Sequence, residues 1–514
     1  MARSRYLDAI EKAYLETPDN IAYRRWDNAC LTYRDLWESS DALAVTIHDY
    51  LQGKPQPVVV YGGKDPLVPL CFLACLKAGC AYVPIDEGTP LSRFRSIFEQ
   101  LSAPLVLATE KLPEQMLAGA GRVVDAAQLG LSVQESLGRC EALQPVAGED
   151  VEYIIFTSGS TGLPKGVQVT ANCVDNFMDW AVGLLGVQDA PKIIVNQAHF
   201  CFDLSVYELT GAFSTGSTLF ALDARAEADF GQMFEALRSS GAHVWVSTPS
   251  FADLCLADPA FSASLMPDME TLVFCGEVLR NSTAAKLHDR FPRARIINTY
   301  GPTESTVAVT AIEVTEDLIA SEEGLPVGYA RPGTVISIVD HETRVPVARG
   351  VSGEILIVGN TVARGYVGLP QRTAQSFSSL QLAGGEWVRA YYTGDRGYLD
   401  DDGLLHCQGR FDHQIKLNGF RIELGEVEAQ LNLLPYVDNA VVVVVQRRGK
   451  NSHLVAHVVL DRLLAENDFE TTQIIRHDLA QRLPSYMLPK KVVVVTELPL
   501  TTNGKIDRKA LCVS

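Results

Sequence analysis

The stretch YIIFTSGSTGLPKGVQVT, residues 153–170, decides how the rest of the chain is interpreted. Its first four residues are apolar, which is typical of a buried strand, and residues 166–170 alternate as a second strand does. Residues 157–166 contain three glycines, four hydroxyl side chains and Lys165. Glycine lets backbone N–H groups converge on an anion, hydroxyls donate further hydrogen bonds, and lysine adds a positive charge. The stretch therefore predicts a loop that binds phosphate.

Two alternatives compete with this interpretation. A P-loop NTPase is the nearer one, because Lys165 lies six residues after Gly159. That motif requires Ser or Thr directly after the lysine and a helix after the loop, whereas Gly166 and a predicted strand follow here. The other alternative is a plain glycine-rich turn of a β-hairpin. The pattern favours a phosphate loop of a class different from the P-loop.

Length and composition exclude several kinds of protein. Single hydrophobic cores stop growing at about 250–300 residues, so a chain of 514 residues predicts at least two domains. The net charge of −18 argues against nucleic acid or an anionic membrane as the main partner. Eleven cysteines, an odd number, do not indicate a disulfide framework. Without a signal-peptide pattern or an apolar run long enough to span a bilayer, we expect a cytoplasmic protein with no membrane insertion.

The order of apolar runs predicts an α/β fold. Strand patterns at 58–61, 80–84 and 105–107 accompany a helical pattern at 67–78. The same alternation returns after the phosphate loop, with strand patterns that include 244–247 and 271–274. We expect a large N-terminal domain, residues 1–410, of mostly parallel β-sheets with flanking helices. From Val327 onward the pattern predicts a small β subdomain within it. Residues 411–514 are expected to form a small mobile C-terminal α/β domain, with a helix at 471–483.

A second motif, NTYGPTE at residues 298–304, follows a predicted strand. Ligands collect at the carboxyl ends of strands in parallel sheets, which favours a binding site here. Tyr300 offers a flat face for a purine, and Glu304 is a hard oxygen ligand suited to Mg²⁺ beside phosphates. A turn that leads into a helix, with Glu304 in its favourable first turn, is the alternative interpretation.

Three shorter motifs complete the pattern. YTGD at 392–395 ends a strand, where Asp395 can accept both hydroxyls of a ribose or simply form an Asx turn. GRFD at 409–412 lies at the predicted domain boundary, where a cation and a pivot are expected. Near the C-terminus, Asn503 and Gly504 predict a tight turn. Lys505 beside it either brings a positive charge to a reacting acyl phosphate or is an ordinary surface lysine.

Together these motifs resemble the adenylate-forming enzymes, in order and over nearly the whole chain. The stretches that carry the resemblance are residues 157–166, 298–304, 353–354, 392–395, 409–412, 418–423 and 503–505. The resemblance implies that the chain binds ATP, Mg²⁺ and a carboxylic acid, forms an acyl-AMP and releases pyrophosphate. It implies that the acyl group then passes to a thiol, with the C-terminal domain rotating at Asp412 between the two half-reactions.

The resemblance also implies residue roles. The implied catalytic residues are Thr157, Lys165, Glu304 and Lys505, with Glu304 also the metal ligand. The implied nucleotide-binding residues are Thr157, Ser158, Gly159, Thr161, Gly276, Glu277, Asn298, Thr299, Tyr300, Gly301, Pro302, Thr303, Asp395, Cys407, Gln408, Gly409, Arg410 and Lys505.

Within that family, residues 202–206, 244–251 and 274–279 resemble the branch that attaches D-alanine to a carrier protein for teichoic acids. By this resemblance Asp203 binds the substrate ammonium, Cys275 and Val307 line a small pocket, and Lys505 contacts the carboxylate. The alternative roles are a helix N-cap for Asp203 and a buried small residue for Cys275. Because no carrier domain follows Lys505 in the 514 residues, we expect the phosphopantetheinylated carrier to be a separate protein.

Two other functions stay open at this point. One is a stand-alone adenylation enzyme for glycine, L-alanine, L-serine or L-proline in a natural-product pathway. The other is a nucleotide-binding sensor or scaffold without turnover, against which the presence of Lys165, Glu304, Asp395 and Lys505 argues.

Overall fold

The computed structural model describes residues 3–117, 119–136, 138, 143–159, 163–321, 323–381, 384–447, 450–499 and 506–511. These residues fall into two compact units. The first unit draws on residues 1–87, 101–155 and 166–411. The second draws on residues 88–100, 156–165 and 412–514. The predicted phosphate loop therefore belongs to the second unit, together with the C-terminal hundred residues.

The described strands are, in chain order, β1 (Ile21–Arg25), β2 (Cys30–Thr32), β3 (Val58–Tyr61), β4 (Tyr82–Ile85), β5 (Leu105–Ala108), β6 (Arg122–Asp125), β7 (Val151–Thr157), β8 (Lys165–Thr170), β9 (Ile193–Asn196), β10 (Thr218–Ala221), β11 (Val244–Ser247), β12 (Thr271–Phe274), β13 (Arg295–Tyr300), β14 (Thr310–Glu313), β15 (Tyr329–Ala330), β16 (Thr334–Val339), β17 (Gly353–Gly359), β18 (Gly365–Tyr366), β19 (Phe377–Gln381), β20 (Trp387–Leu399), β21 (Leu405–Arg410), β22 (Gln414–Leu417), β23 (Phe420–Glu423), β24 (Val437–Arg447), β25 (Lys450–Leu460) and β26 (Lys491–Val494).

The described α-helices are α1 (Arg5–Glu16), α2 (Tyr33–Tyr50), α3 (Leu67–Lys77), α4 (Leu91–Leu101), α5 (Glu114–Leu117), α6 (Ala126–Ser136), α7 (Ala171–Leu185), α8 (Leu204–Phe213), α9 (Ala224–Ala228), α10 (Phe230–Ser240), α11 (Pro249–Cys255), α12 (Asn281–Arg290), α13 (Glu316–Ala320), α14 (Pro370–Ser376), α15 (Leu424–Asn432), α16 (Asp468–Ala480) and α17 (Arg508–Leu511). Short 3₁₀ turns cover Thr303–Ser305 and Ser485–Met487.

Two large sheets carry most of the first unit. One has seven strands in the order β18, β8, β7, β4, β3, β5, β6, and the other has nine in the order β15, β14, β13, β12, β11, β9, β10, β1, β2. Strands β9 to β13 and β1 pair in parallel within the second sheet, and β3 to β6 do so within the first. Parallel strands with helices on both faces are buried on both sides. All four residues of β3, β11 and β12 are accordingly buried.

The smaller sheets are mainly antiparallel. Strands β16, β17, β20 and β19 form a sheet to which β21 adds through β20. This sheet is the β subdomain expected after residue 327. In the second unit, β22 pairs with β23, and β24, β25 and β26 form a three-stranded sheet. Helix α16 packs its buried Ile475 and Leu479 into the hydrophobic cluster that includes strands β24 and β25.

Local sequence signals fix the helix ends. Helix α2 begins with a capping box, in which Thr32 and Asp35 exchange side-chain and backbone hydrogen bonds. Helix α7 ends at Gly186, whose φ of 71° lies in the left-handed region that glycine tolerates. The first of these signals begins a helix and the second ends one.

The predicted fold class is confirmed: a mixed α/β chain with a large N-terminal region of mostly parallel sheets and a small C-terminal α/β region. The nine cysteines that the structure describes are free thiols. Within the described residues, no helix combines the length and the apolar character needed to cross a membrane.

Candidate active site

The carboxyl ends of β12 and β13 bring two groups of predicted site residues side by side. The strands are parallel neighbours, with Phe274 opposite Asn298. Residues 275–277 follow β12 directly, and residues 298–300 end β13. The Thr299 hydroxyl donates to the carbonyl oxygen of Phe274 over 2.9 Å, which ties the two ends together. Ligands of parallel α/β sheets bind outside such strand ends, so this edge is the natural place for a site.

Most side chains at this edge are held by further hydrogen bonds. The Asn298 amide nitrogen donates to the Pro326 carbonyl over 2.7 Å. The Glu277 carboxylate accepts from the backbone N–H of Ser250 over 3.1 Å. Gly276 has a φ of 91°, in the left-handed region, which favours glycine at this bend. The edge is therefore a fixed frame and not a set of freely rotating side chains.

Tyr300, Asp395 and Arg410 form one hydrogen-bonded set. The Tyr300 hydroxyl donates to Asp395 over 2.6 Å, and the Arg410 guanidinium donates to the other oxygen of the same carboxylate. The register of β20 and β21 places Asp395 opposite Arg410. Burial raises the pKa of Tyr300 well above its usual value, and the charge of Asp395 adds to this effect. The tyrosine therefore stays a donor at neutral pH.

The remaining predicted residues of strand β21 precede Arg410 in the chain. These residues are Cys407, Gln408 and Gly409. The Gln408 side-chain oxygen accepts from the Ser352 hydroxyl over 2.6 Å, and Gly409 has a φ of 109°. They lie on the strand that pairs with the one carrying Asp395.

Glu304 lies in the turn that follows β13. Gly301 starts this turn, and a Cβ there would stand 2.4 Å from the Cα of Ala308, so only glycine fits. Pro302 and Thr303 follow. The Glu304 carboxylate is fully buried and accepts from the Tyr366 hydroxyl over 2.8 Å. A buried carboxylate needs charge or hydrogen-bond partners, and its oxygens are of the kind that Mg²⁺ prefers.

Cys275 and Val307, predicted to line the substrate pocket, are in contact. The Cys275 thiol lies 3.8 Å from the carbonyl oxygen of Val307. Both residues are about 1% exposed. Val307 has a φ of 65°, a left-handed conformation that is strained for a β-branched residue. Strain of this kind collects at functional sites, and here it turns the valine carbonyl toward the thiol.

Asp203 stands at the first position before helix α8 without capping it. Its backbone is already helical, and its side chain makes no hydrogen bond to the helix N-terminus. A true N-cap residue has an extended backbone and accepts from the N2 or N3 N–H. Asp229, at the start of α10, meets both conditions. The N-cap alternative for Asp203 is therefore not what the structure shows.

Tyr207 is a site residue that sequence reasoning missed. Burial raises the pKa of its fully buried hydroxyl well above its usual value, and the nearby Cys275 and Asp203 raise it further. The side chain of Thr299 interacts with this hydroxyl and opposes part of the rise. Tyr207 lies four residues after Asp203 on α8, a spacing that puts two side chains on one helix face. That i, i+4 relation was the available signal.

The phosphate loop connects β7 to β8 within the second unit. Gly159 is indispensable there, because a Cβ would lie 2.0 Å from the Leu163 carbonyl oxygen. The buried Thr157 hydroxyl has no hydrogen-bond partner among the described residues. The Ser158 hydroxyl donates to the Arg421 carbonyl over 2.9 Å. Thr161 lies outside the described residues.

Two carboxylates engage the positive groups of this loop. The Gly159 backbone N–H donates to Glu426 over 3.0 Å, and the Lys165 ammonium stands 3.7 Å from Glu423. Burial raises the pKa of Glu426, while the neighbouring Arg93 opposes the rise. The loop thus binds anionic oxygens with its backbone and its lysine. Phosphate oxygens are also anionic, and they are bound by the same kinds of group, backbone N–H and ammonium.

Two predicted functional residues, Asp412 and Lys505, belong to the C-terminal segment of the chain. Asp412, the predicted hinge, accepts from the backbone N–H of Gln414 over 3.1 Å and begins the segment 412–514. Lys505 lies outside the described residues.

Comparison with known proteins agrees with this geometry. Residues 10–367 match the AMP-binding enzyme family, and residues 426–505 match the AMP-binding enzyme C-terminal domain. The chain is 42% identical over 506 residues to a D-alanine–D-alanyl carrier protein ligase of Bacillus cytotoxicus and 43% identical to one of Bacillus cereus. Each alignment covers 98% of both chains.

A solved structure of an NRPS protein containing adenylation and PCP domains is 26% identical, with a TM-score of 0.81. The comparison covers 99% of this chain and 97% of that one. The predicted resemblance to adenylate-forming enzymes is thereby confirmed. The chain belongs to the AMP-binding enzyme family.

Proposed function

We propose that this protein uses ATP to activate D-alanine as D-alanyl-AMP. It then transfers the D-alanyl group to the phosphopantetheine thiol of a separate carrier protein, for D-alanylation of teichoic acids. The observation that carries the proposal is the identity of 42–43% over 98% of both chains with D-alanine–D-alanyl carrier protein ligases. As a member of the AMP-binding enzyme family, the chain uses ATP. We propose the cytoplasm as its location.

The amino-acid site is proposed around the end of β12. Asp203 pairs with the substrate ammonium, while Cys275 and Val307 close the pocket around Cα and the methyl group. The contact between Cys275 and Val307, at 3.8 Å, supports this arrangement. A filled pocket rejects larger side chains, since an extra methylene without room costs about 1–3 kcal/mol. Tyr207, buried beside Cys275, supplies a further hydroxyl to this pocket.

The nucleotide site is proposed at the carboxyl ends of β12 and β13. Tyr300 lies against the adenine, residues 276–277 and 298–299 frame its edge, and Asp395 with Arg410 holds the ribose. The hydrogen bond of 2.6 Å between Tyr300 and Asp395 supports a joint role for these groups. Thr157, Ser158, Gly159, Thr161 and Lys165 bind the phosphates. Fixed donors of this kind act by positioning and by neutralising charge.

A magnesium ion fits the buried carboxylate of Glu304. Its oxygens are hard ligands, and the hydrogen bond from Tyr366 fixes the orientation of the group. When bound, Mg²⁺ supplies positive charge next to the phosphates and so lowers the cost of charge that develops there. Gly301, Pro302 and Thr303 form the turn that holds Glu304 in place.

We also propose a division of the chain into a core, residues 1–410, and a mobile lid, residues 411–514, with Asp412 as the hinge. The second family match, at residues 426–505, falls within the proposed lid. The lid would bring Lys505 to the reacting carboxylate during adenylation and remove it before the thiol attacks. Adenylation takes place at the α-phosphorus of ATP, whereas the thiol then attacks the acyl carbon and AMP leaves. The two half-reactions therefore need different groups at one site, which explains why such a lid would move.

The proposal is tested by ATP–pyrophosphate exchange with a panel of amino acids. The panel contains D-alanine, L-alanine, glycine, L-serine and L-proline. We expect D-alanine to give the highest kcat/KM, because Cys275 is proposed to exclude a methyl group from one face of Cα. A clear preference for an L-amino acid would contradict the proposal and would favour an adenylation enzyme of another pathway.

Replacing Cys275 with alanine should weaken the choice between enantiomers. The thiol fills space beside Val307, and its removal leaves room for a methyl group on the excluded face of Cα. We expect kcat/KM for L-alanine to rise about tenfold, with a change of less than about threefold for D-alanine. Pyrophosphate exchange with both enantiomers measures the ratio. Cys255→Ala removes an equally buried free thiol from α11 and serves as the control. An unchanged ratio in Cys275→Ala would exclude the steric role.

A further inference from the structure

The loop that joins β9 to α8 carries Asp203, and one buried carboxylate holds the start of this loop. Glu208, on α8, is fully buried. One of its oxygens accepts from the backbone N–H of Gln197 over 3.1 Å and of Ala198 over 3.3 Å. The other oxygen accepts from the side-chain amide of Asn196. Glu208 thus binds three consecutive residues, the last of β9 and the first two of the loop. Glu208 itself lies five residues after Asp203 in the chain.

A buried lysine also bonds to this segment, as a donor where Glu208 is an acceptor. The Lys64 ammonium, 5% exposed, donates to the backbone carbonyl of Asn196 over 2.8 Å. It also lies 5.6 Å from the centre of the Phe200 ring. Burial lowers the pKa of Lys64, and the negative charge of Glu208 opposes this effect. Burial in turn raises the pKa of Glu208 to about 7, and the charge of Lys64 opposes this rise, so each group favours the charged form of the other across Asn196.

Side-chain packing contributes to this part of the loop, because Ala198 and Phe200 are buried in the large hydrophobic cluster and the Phe200 ring lies edge-on to Phe72, with 5.4 Å between ring centres. A cavity of about 320 Å³ borders it, lined on the loop side by His199 and Phe200 and elsewhere by charged residues that include Lys64, Asp86 and Glu227. Two loop side chains bond to the cavity wall: His199 to Asp86 at 2.5 Å, and Gln197, which donates to Glu227 over 3.3 Å. These contacts hold side chains, whereas Glu208 holds the backbone N–H groups of Gln197 and Ala198 themselves.

We propose that Glu208 is a positioning residue for the amino-acid substrate. By fixing the backbone of residues 196–198 it sets the place at which the Asp203 carboxylate meets the substrate ammonium. This inference rests on the proposed function, in which Asp203 binds that ammonium. A displacement of about 1 Å in a substrate-binding group is enough to cost about 100-fold. Because the ammonium is bound before and during the reaction, displacement of Asp203 should raise KM for the amino acid more than it lowers kcat.

Two variants separate the reach of Glu208 from its charge. Glu208→Asp keeps the charge but withdraws the carboxylate by one methylene from the N–H groups of Gln197 and Ala198. Glu208→Gln keeps the reach, so its oxygen still accepts from both N–H groups. The Asn196 side-chain oxygen, which has no partner among the described residues, can then accept from the new amide after the Asn196 amide turns.

We expect Glu208→Asp to raise KM for the amino acid about tenfold, with kcat within about threefold and KM for ATP unchanged. Glu208→Gln should stay within about threefold of the wild type in all three values. The matched control is Glu227→Gln. Glu227 also raises the pKa of Lys64, but its hydrogen bond among the described residues comes from the side-chain amide of Gln197, at 3.3 Å, and not from the loop backbone. This control should leave KM unchanged.

Steady-state adenylation kinetics of the full chain test the proposal, with thermal melting recorded for each variant. The inference is overturned if KM for the amino acid is unchanged in Glu208→Asp, or if Glu208→Gln is damaged as much. A fall in kcat alone that follows a lower melting temperature would also overturn it, since that pattern indicates loss of folded protein. Failure of the wild type to activate D-alanine refutes the proposed function instead. The variants are then compared with the amino acid that the wild type does activate.

Discussion

Replacement of Asp203 by asparagine is expected to lower kcat/KM for D-alanine activation by about 100-fold or more. The variant removes the negative charge that pairs with the substrate ammonium, and an unpaired charge in a buried site costs about 3–5 kcal/mol. KM for ATP should stay unchanged, because Asp203 is not among the residues proposed to hold the nucleotide. Pyrophosphate exchange over a range of D-alanine and ATP concentrations measures both quantities.

The choice of asparagine also discriminates between the two roles considered for Asp203. Asparagine caps a helix about as well as aspartate does, so an N-cap role predicts almost no effect. The structure argues for the charged role, because Asp203 makes no capping hydrogen bond. Asp229→Asn changes a true N-cap aspartate, which accepts from Gly231 and Gln232, and should leave activity unchanged. Full activity of Asp203→Asn would remove the ammonium anchor from the account.

Replacement of Lys505 by alanine is expected to slow adenylation by about 100- to 1,000-fold, the usual effect of removing one fixed donor from a developing negative charge. Transfer of the aminoacyl group from preformed aminoacyl-AMP to the carrier thiol should stay within about threefold, since the proposed lid has by then removed the lysine. Single-turnover assays of the two half-reactions measure these rates separately. This prediction comes from the sequence motif around residues 503–505.

A surface lysine of the same region provides the control for Lys505. Lys491, at the start of β26, is exposed, and Lys491→Ala removes the same charge from the C-terminal segment. It should leave both half-reactions unchanged. An unchanged adenylation rate in Lys505→Ala would refute the catalytic role of this lysine. Equal losses in both half-reactions would contradict the proposed rotation of the lid.

The buried parallel strands were the most predictable part of the fold. The patterns at 58–61, 244–247 and 271–274 coincide with β3, β11 and β12. Strands covered on both faces have continuous apolar sequences, bounded by polar or glycine residues, and this signal is local. The predicted helix at 471–483 begins earlier in the structure, at Asp468. The cause is Asn467, whose side chain accepts from the Glu470 N–H over 2.9 Å and so starts the helix before its apolar face.

The candidate site was predictable where it follows strand ends and unpredictable where it depends on distant partners. Residues 298–300 were predicted to follow a strand, and in the structure they are the last three residues of β13, beside the end of β12 that leads into residues 275–277. The partner of Glu304, by contrast, is Tyr366, 62 residues away. The partner of Gly159 is Glu426, 267 residues away. No local pattern predicts such pairs, because they arise from the packing of elements that are distant in the chain.

The sequence patterns also did not predict the roles of two buried residues, Glu208 and Tyr207. The role of Glu208 depends on backbone N–H groups, which every residue except proline carries. Its partners therefore cannot be recognised from residue types in the sequence. The position of Tyr207 could be inferred from the sequence. It lies four residues after Asp203, and two side chains at this spacing lie on the same face of a helix. Helical spacing from an anchoring residue is therefore worth counting when a substrate pocket is sought.

The central claim is that this chain activates D-alanine and passes it to a separate carrier protein. The most direct measurement offers radiolabelled D-alanine or L-alanine, with ATP, to the purified protein and a phosphopantetheinylated carrier protein, and counts label bound to the carrier as thioester. The account predicts ATP-dependent labelling with D-alanine and little with L-alanine. It also predicts no labelling of a carrier whose acceptor serine has been replaced. Preferred loading of L-alanine, or no aminoacyl-AMP with either enantiomer, would contradict the account.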